Sequence, residues 1–333
     1  MSKLKKNYLN KNKLPLVLEP DTAFQKQDLA AVLKAEEDLI KEGIREHGGV
    51  LLRNFPMETA DDFAEALRVL DLGKGIDYIG GDSPRTKVKD HIYTSTEAPP
   101  SIKIPLHNEL SFVKNYPRYI MFFCEVAPQE KGETIIGDAR KIYQSIDPKI
   151  REKFASKGLK YISRYYYKSK LMDAINSLQK GHKTWLDVFE TEDKKKVEQL
   201  CLENEFAYKW NQNDWLEISQ VRPAAMAHPE TNEMVWFNQA HLYDYNPRLL
   251  GFWRYLGAQV LYARKYMLYH EIFYADGSKI DRQDLYHVMD KLDENTIAFP
   301  WRKGDLMILD NVLAMHGRAA FTGKRRVLTA MAN

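Results

Sequence analysis

Strand-like segments flank a long helix-like middle section, and this order restricts the fold more than any other feature of the sequence. Strand patterns occur early, at 49–55 and 118–127, and return near the end, at 305–311 and 325–331. Between them, polar-faced stretches typical of helices dominate from about 139 to 204. Because the first and last strands have to share one core, we predict a sheet core whose mouth is covered by the middle section.

The 333 residues show no internal repeat, low-complexity tract or long Ser/Gly linker. We therefore predict a single domain over 1–333 with a helical insertion or lid at about 139–230. Residues 1–20 are basic at their start and lack the apolar run of a signal peptide, so they are expected to form a frayed N-terminal arm. Helices are predicted over 21–47 and 248–267, and Thr59-Ala-Asp-Asp62 is a capping-box variant that predicts the start of another helix, through about Leu70.

Composition excludes several classes of function. The 49 Lys and Arg nearly balance the 46 Asp and Glu, so a net charge of +3 gives no electrostatic case for nucleic-acid binding. Apolar runs fall short of the ~20 residues that a membrane span needs. The two cysteines, Cys124 and Cys201, cannot form a disulfide framework, so a cytoplasmic location is the simplest expectation.

The sharpest local motif is Pro105-Leu-His107-Asn-Glu109. On a strand, residues i and i+2 face the same side, so the imidazole of His107 and the carboxylate of Glu109 are expected to project into one space. Burying such a pair without partners is costly, and a divalent iron bound by two histidines and one carboxylate would explain it. A surface salt-bridged pair is the competing interpretation, because an isolated pair of this kind is common in chains of this length.

The third ligand has to come from another part of the chain, which contains nine histidines. His316 follows the apolar strand pattern LMILDNVLAM, and a strand end is a rigid position for a ligand. His228 and His241 compete with it on composition alone. We expect the remaining histidines to lie on the surface or to be satisfied in the core.

Taken together, the motifs resemble the iron(II)- and 2-oxoglutarate-dependent oxygenases of the taurine dioxygenase (TauD/TfdA) superfamily, and within it the SyrP-like and clavaminate-synthase-like branch. The resemblance runs from about Gly49 to Met331. It depends on several motifs in order, namely GGVLLRNF, GGDSPRT, IYTSTEAPP, IPLHNELSF, FFCEVAP, GETIIGDAR, AHPETNEMVWFNQAHLY and LDNVLAMHGRAAFTGKRRVL.

The resemblance implies a fold and a set of roles. The fold would be a double-stranded β-helix (jelly roll) with flanking helices. Fe(II) would be bound by His107, Glu109 and His316, with 2-oxoglutarate and O2 as cosubstrates. Thr134, 27 residues after His107, would contact 2-oxoglutarate. Arg326, ten residues after His316, would clamp its distal carboxylate.

Neighbouring positions receive secondary expectations. Strand alternation is expected to turn Arg325 away from the pocket, and Arg318 is a candidate for either a substrate contact or a loop anchor. The resemblance places Asn238 and Gln239 near the core. Two weaker candidates for polar substrate contacts are Asp82, in the 80–103 loop, and Arg164, in the insertion, whose aromatic residues are expected to be core.

The resemblance implies a hydroxylase that acts on an unactivated C–H bond of an amino acid, either free or tethered to a peptidyl carrier protein, in a biosynthetic pathway such as that of an antibiotic. Succinate and carbon dioxide would be the coproducts. Two alternatives stay open at this point. A zinc hydrolase could use the same His/Glu/His set, and a non-catalytic jelly-roll protein could bind a ligand without turnover.

Overall fold

The computed structural model describes residues 3–76, 85–178, 182–261 and 268–333. The strands, in chain order, are β1 (Leu4–Tyr8), β2 (Leu16–Pro20), β3 (Gly49–Leu52), β4 (Lys87–Lys89), β5 (Ile92–Thr94), β6 (Ile104–His107), β7 (Tyr119–Val126), β8 (Glu130–Lys131), β9 (Thr134–Asp138), β10 (Leu159–Tyr165), β11 (Ala207–Trp210), β12 (Leu216–Arg222), β13 (Ala225–Ala227), β14 (Met234–Trp236), β15 (His270–Tyr274), β16 (Leu306–Asp310), β17 (Ala314–Arg318), β18 (Phe321–Thr322) and β19 (Arg326–Ala332). The α-helices are α1 (Leu29–Ala35), α2 (Glu37–His47), α3 (Ala60–Leu70), α4 (Ala139–Ser145), α5 (Pro148–Lys157), α6 (Lys170–Leu178), α7 (Trp185–Phe189), α8 (Lys194–Glu203), α9 (Ala240–Tyr243), α10 (Pro247–Leu250), α11 (Phe252–Leu261) and α12 (Arg282–Glu294).

Two sheets enclose the core. The larger has the order β1-β2-β3-β16-β7-β19-β5-β4, and the smaller has the order β6-β17-β9. Their inner faces share one apolar cluster, in which Ile136 and Ala314 of the small sheet pack with Phe122, Met307 and Val327 of the large one. Strands from both ends of the sequence therefore meet in one core, and the predicted double-stranded β-helix is confirmed.

Helices α1, α2 and α3 cover the outer face of the large sheet, as the periodicity of 21–47 and the start at Thr59 predicted. Thr59 and Asp62 form the expected capping box, in which each side chain bonds the backbone N–H of the other residue. Phe63 of α3 stacks on Phe123 of β7 with ring centroids 5.5 Å apart. This layer buries the sheet face that points away from the inner core.

The prediction that 1–20 is a frayed arm is wrong. Strand β1 pairs antiparallel with β2, and β2 pairs parallel with β3, so this segment extends the large sheet by two strands. Leu16 and Leu18 are buried, and an added Cβ on Gly43 of α2 would lie 2.7 Å from the Leu16 side chain. Burial of these leucines holds the segment in place, whereas the prediction of a frayed arm considered only the basic residues at its start.

The segment 139–230, predicted to be helical, is mixed. It contains α4 to α8, but also β10, β11 and β12, which join β15 in a separate four-stranded sheet with the order β11-β12-β10-β15. The aromatic residues here are core, as expected: Tyr165 and Trp185 are both buried in one cluster. A lid function for this segment stays a prediction.

The predicted helix over 248–267 is divided. Gly251, at φ 78°, separates α10 from α11, and residues 262–267 lie outside the described part of the chain. The apolar stripe of α11 faces outward, with Trp253 and Val260 both 81% exposed. Within the described ranges, no helix is long and apolar enough to cross a membrane.

Candidate metal centre

Two histidines that are far apart in the sequence are direct cross-strand partners. His107 ends β6 and pairs with His316 of β17, with ring centroids 4.4 Å apart. The register shifts beside them, where Pro105 of β6 lacks an N–H to donate. Gly317 permits the close approach of the strands, since an added Cβ would lie 2.4 Å from the Ile104 carbonyl oxygen.

The side chain of Glu109 converges with the two histidines, although Glu109 does not lie on the strand that carries His107. Strand β6 ends at His107, so Glu109 lies in the turn that follows, and Leu110 has a φ of 53°. Asn311 holds this turn: its Oδ1 accepts from the Glu109 N–H at 2.7 Å, and its Nδ2 donates to the Glu109 carbonyl at 2.9 Å. The assumption that His107 and Glu109 share one strand is therefore wrong, although their side chains converge.

The ligand atoms of His107, Glu109 and His316 all lie within 4.8 Å of one another. The Nδ1 of His107 lies 2.9 Å from the Pro105 carbonyl, so an N–H assigned there leaves Nε2 as a lone-pair donor. Burial, together with His316 beside it, lowers the pKa of His107 to about 3, so its imidazole is neutral as a metal ligand requires. Two imidazoles and one carboxylate fit a divalent cation such as iron(II).

Arg85 is the charged neighbour of this cluster. Its Nη2 donates to Glu109 Oε2 at 2.6 Å, and both side chains are buried. Burial acts to raise the pKa of the Glu109 carboxyl, but Arg85 and the two imidazoles outweigh it and hold that pKa below its usual range. Glu109 is therefore an anion in the folded protein, ready to bind a cation.

The competing histidines have other environments. His228 lies in a buried ionic network, where its Nε2 is 3.1 Å from Asp310 Oδ2 and 2.8 Å from Arg118 Nη2. Asp310 also accepts from the N–H groups of 312 and 313, which fixes the turn that carries Asn311. His241 is fully buried in α9, outside the metal cluster. His228 thus supports the centre indirectly, through the position of Asn311.

A cavity of about 40 Å³ adjoins the two histidines. Thr134 of β9 lines it, and its Oγ1 accepts from Trp301 Nε1 at 3.2 Å. Because the indole N–H uses a lone pair of this hydroxyl, the hydroxyl proton stays available for a ligand. Three arginines, Arg85, Arg318 and Arg325, also line the cavity, which suits it to anions.

The predicted orientation of the two adjacent arginines is wrong. Arg325 lines the cavity and donates from Nε to the Gly132 carbonyl at 2.9 Å. Arg326 has a side chain 51% exposed and pairs with Glu125 on the outer surface. Arg325 immediately precedes β19 and lies on the same inner side as Val327, so strand alternation holds, but the inward-facing arginine is Arg325 and not Arg326. Burial, with Arg318 nearby, lowers the pKa of Arg325 to about 10, which leaves it charged at neutral pH.

The structure also locates the secondary candidates. Arg318 donates to the carbonyls of residues 98, 99 and 102, so it anchors the loop before β6. Gln239 Nε2 donates to the Asn108 carbonyl at 2.5 Å, which supports the turn that carries Glu109. Arg164 is held by Glu217 and Glu271 in the separate four-stranded sheet, away from the cavity. Asp82 lies outside the described residues.

Three residues of the site, Arg85, Asn311 and Trp301, were not among the candidates predicted from the sequence. Arg85 lies in the quoted motif GGDSPRT, and Asn311 follows the last residue of β16, so both were present in motifs that drew attention for other reasons. Each acts through a partner far away in sequence, 24 residues for Arg85 and 202 for Asn311. No local pattern could have revealed these pairings.

Known structures share this fold. The PvcB protein from Pseudomonas aeruginosa aligns with a TM-score of 0.53 at 15% identity, covering 99% of this chain and 91% of that one. AAD-2, solved with Mn(II) and N-oxalylglycine, aligns with a TM-score of 0.55 at 11% identity, covering 99% and 96%. At these identities the likeness concerns the fold alone.

Sequence relatives establish the family. The family described as "Taurine catabolism dioxygenase TauD, TfdA family" matches residues 12–331. The dapdiamide synthesis protein DdaC of Enterobacter agglomerans is 30% identical over 292 residues, 88% of this chain and 84% of that protein. A clavaminate synthase-like protein of Arabidopsis thaliana is 26% identical over 303 residues, 90% and 86% of the two chains. The chain therefore belongs to the TauD/TfdA family and is an iron(II)- and 2-oxoglutarate-dependent dioxygenase.

Proposed function

We propose that this enzyme hydroxylates an unactivated C–H bond of an amino acid, free or carrier-tethered, in a biosynthetic pathway in the cytoplasm. The biosynthetic setting is supported by the relative described as a dapdiamide synthesis protein. The cytoplasmic location is supported by two cysteines, Cys124 and Cys201, that are both free. Succinate and carbon dioxide from 2-oxoglutarate are the coproducts.

One observation carries the proposal: the three candidate iron ligands converge, and two of them line a cavity together with a pair of anion-binding groups. His107, Glu109 and His316 would hold the iron. Thr134 and Arg325 line the cavity that His107 and His316 also line, which supports the proposal that they bind the distal carboxylate of 2-oxoglutarate. A zinc hydrolase would have no use for this buried guanidinium and hydroxyl beside the metal ligands.

Each group of the chain has a defined task in this proposal. When bound, the iron supplies dioxygen activation coupled to decarboxylation of 2-oxoglutarate. Arg325 neutralises one carboxylate in a buried place, and the Thr134 hydroxyl donates to it. Phe122, with its ring centroid 5.1 Å from that of His316, covers the ligand with an apolar surface that excludes water.

The test measures coupling between two products. Anaerobically iron-loaded enzyme is mixed with 2-oxoglutarate, oxygen and each of the twenty L-amino acids in turn, and succinate and the mass of the amino acid are followed together. We expect one acid, or a small related group, to accelerate succinate formation and to gain one oxygen atom. The matched control is His316→Ala, which removes one of three protein ligands. Succinate formation that no free amino acid stimulates, or a product without added oxygen, would contradict hydroxylation of a free amino acid.

A further inference from the structure

Arg318 lies beside a metal ligand and beside the proposed cosubstrate contact Thr134. On β17 it follows His316 by two residues, so the two side chains share one face of the strand. Its direct cross-strand partner in β9 is Thr134, and opposite residues of an antiparallel pair have Cβ atoms about 4.5–5.5 Å apart. All three residues line the same cavity. The small sheet therefore brings this guanidinium to the proposed cosubstrate site.

The loop contacts of Arg318 use only part of its guanidinium. An arginine has five N–H donors, and three of them bond the carbonyls of residues 98, 99 and 102. The Nε of Arg318 is buried and has no hydrogen-bond partner. A buried donor without a partner costs free energy, so this N–H needs a reason other than the anchoring of the loop.

The protein partners of Arg318 and Arg325 are neutral. Arg325 donates to the Gly132 carbonyl and, at 3.4 Å, to Ser95 Oγ. The guanidinium carbons of Arg318 and Arg325 lie 5.2 and 5.7 Å from the ring centroid of Phe321, which attracts both cations without neutralising them. Among the described residues, no carboxylate is paired with either arginine. Two buried like charges held around one ring favour the binding of an anion.

We propose that Arg318 binds the distal carboxylate of 2-oxoglutarate together with Arg325, through the Nε–H that the loop does not use. This inference rests on the proposed function, in which Thr134 and Arg325 bind that carboxylate. A carboxylate has about four acceptor positions on its two oxygens, which is enough for two guanidiniums and one hydroxyl. Arg318 thereby connects the cosubstrate to the loop before β6.

The test distinguishes a ligand contact from loop anchoring by comparing two ligands. 2-Oxopentanoate has the keto acid group of 2-oxoglutarate but a methyl group in place of the distal carboxylate. Binding of each ligand to the Mn(II)-loaded protein is measured by calorimetry without oxygen for the wild type, Arg318→Gln and Arg318→Lys. The control is Arg326→Gln, which removes the exposed arginine that pairs with Glu125. The ratio of the two dissociation constants measures the contribution of the distal carboxylate, whereas a disturbed loop weakens both ligands alike.

We expect the wild type to bind 2-oxoglutarate at least about a hundredfold more tightly than 2-oxopentanoate. Each of the two guanidiniums contributes at least one charged hydrogen bond, and one such bond corresponds to about tenfold or more. Arg318→Gln should lower the ratio by about tenfold or more. Arg318→Lys keeps the charge but loses the fork, so its ratio should be intermediate, and Arg326→Gln should keep the wild-type ratio.

An unchanged ratio in Arg318→Gln would overturn the inference, whether both ligands weaken equally or neither does, because Arg318 would then only anchor the loop. A crystal structure of the wild type with Mn(II) and 2-oxoglutarate tests the contact without a variant. The Nε of Arg318 should lie within about 3.5 Å of a distal carboxylate oxygen, and a longer distance refutes the bond. If the wild type binds both ligands equally, the assignment of the cavity to 2-oxoglutarate fails; a high wild-type ratio that does not depend on Arg318 removes only this inference.

Discussion

Replacing Arg325 by alanine tests the cosubstrate site most directly, because its neighbour Arg326 is a built-in control. Arg325 lines the cavity with Thr134, whereas Arg326 pairs with Glu125 on the outer surface. Both changes remove the same side chain, and the two positions are adjacent: Arg325 immediately precedes β19 and Arg326 is its first residue. A difference in 2-oxoglutarate binding between the two variants therefore depends on where the lost arginine lies, and not on the loss of an arginine as such.

The magnitude follows from the contacts of the Arg325 guanidinium. Its Nε donates to the Gly132 carbonyl and its Nη1 donates to Ser95 Oγ at 3.4 Å, which leaves one or two charged hydrogen bonds for a carboxylate of the cosubstrate. Each such bond contributes about 1.5–3 kcal/mol. Loss of one bond weakens 2-oxoglutarate binding by at least about tenfold, and loss of two by up to about 10⁴-fold. Arg326→Ala removes an exposed ion pair worth about 1 kcal/mol or less of stability.

The assay is calorimetric titration of 2-oxoglutarate into the Mn(II)-loaded protein, with thermal unfolding of each variant to verify the fold. Arg325→Lys keeps the charge but loses the planar fork, and we expect it to lie between wild type and Arg325→Ala. The reasoning is refuted if Arg326→Ala weakens 2-oxoglutarate binding by tenfold or more while Arg325→Ala does not.

Three further predictions concern groups around the same centre. His107→Ala or His316→Ala should abolish turnover and the rise in melting temperature that Mn(II) produces in the wild type, since each removes one of three protein ligands; an unchanged rise would contradict the ligand set. Trp301→Phe should weaken 2-oxoglutarate binding by about two- to tenfold through Thr134, and the double variant with Thr134→Val should lose no more than Thr134→Val alone; additive losses in the double-mutant cycle would mean independent roles. Burial lowers the pKa of His241 to about 4, so its contribution to stability is complete above about pH 6.5 and is lost as the pH falls toward 4. His241→Gln should therefore reduce the fall in urea unfolding free energy between pH 7 and pH 5 by up to about 1.4 kcal/mol per pH unit, and an unchanged fall would show that His241 is not buried in neutral form.

Local patterns were sufficient for most of the core elements. The apolar run around Phe122 predicted β7, and the run around Leu309 predicted β16. The spacing of Thr59 and Asp62 predicted the start of α3. These features depend on neighbours within a few residues, because backbone propensity, strand alternation and helix capping are short-range effects. The same reasoning failed for residues 1–20, whose order comes from packing against α2 and β3.

The ligand residues could be predicted from the sequence only in part. Their types and the approximate places of His107, Glu109 and His316 were visible in the sequence. Their meeting was not, because it depends on the pairing of β6 with β17 and on Asn311, which holds the Glu109 backbone from 202 positions away. A strand pattern describes which residues share a face, but it does not describe where a turn after the strand carries the next side chain.

Arg325 and Arg326 show most clearly what the sequence determines and what only the tertiary structure decides. From the sequence alone it follows that adjacent residues of a strand point to opposite sides, so only one of the two arginines can face the site. Which one does so depends on what covers each face of β19: helices lie over the side that Leu328 shares with Arg326, and the small sheet lies over the side that Val327 shares with Arg325. Alternation is a property of the chain, whereas inside and outside are defined only when the layers have packed. The tertiary structure therefore decided which charge is buried beside the metal ligands.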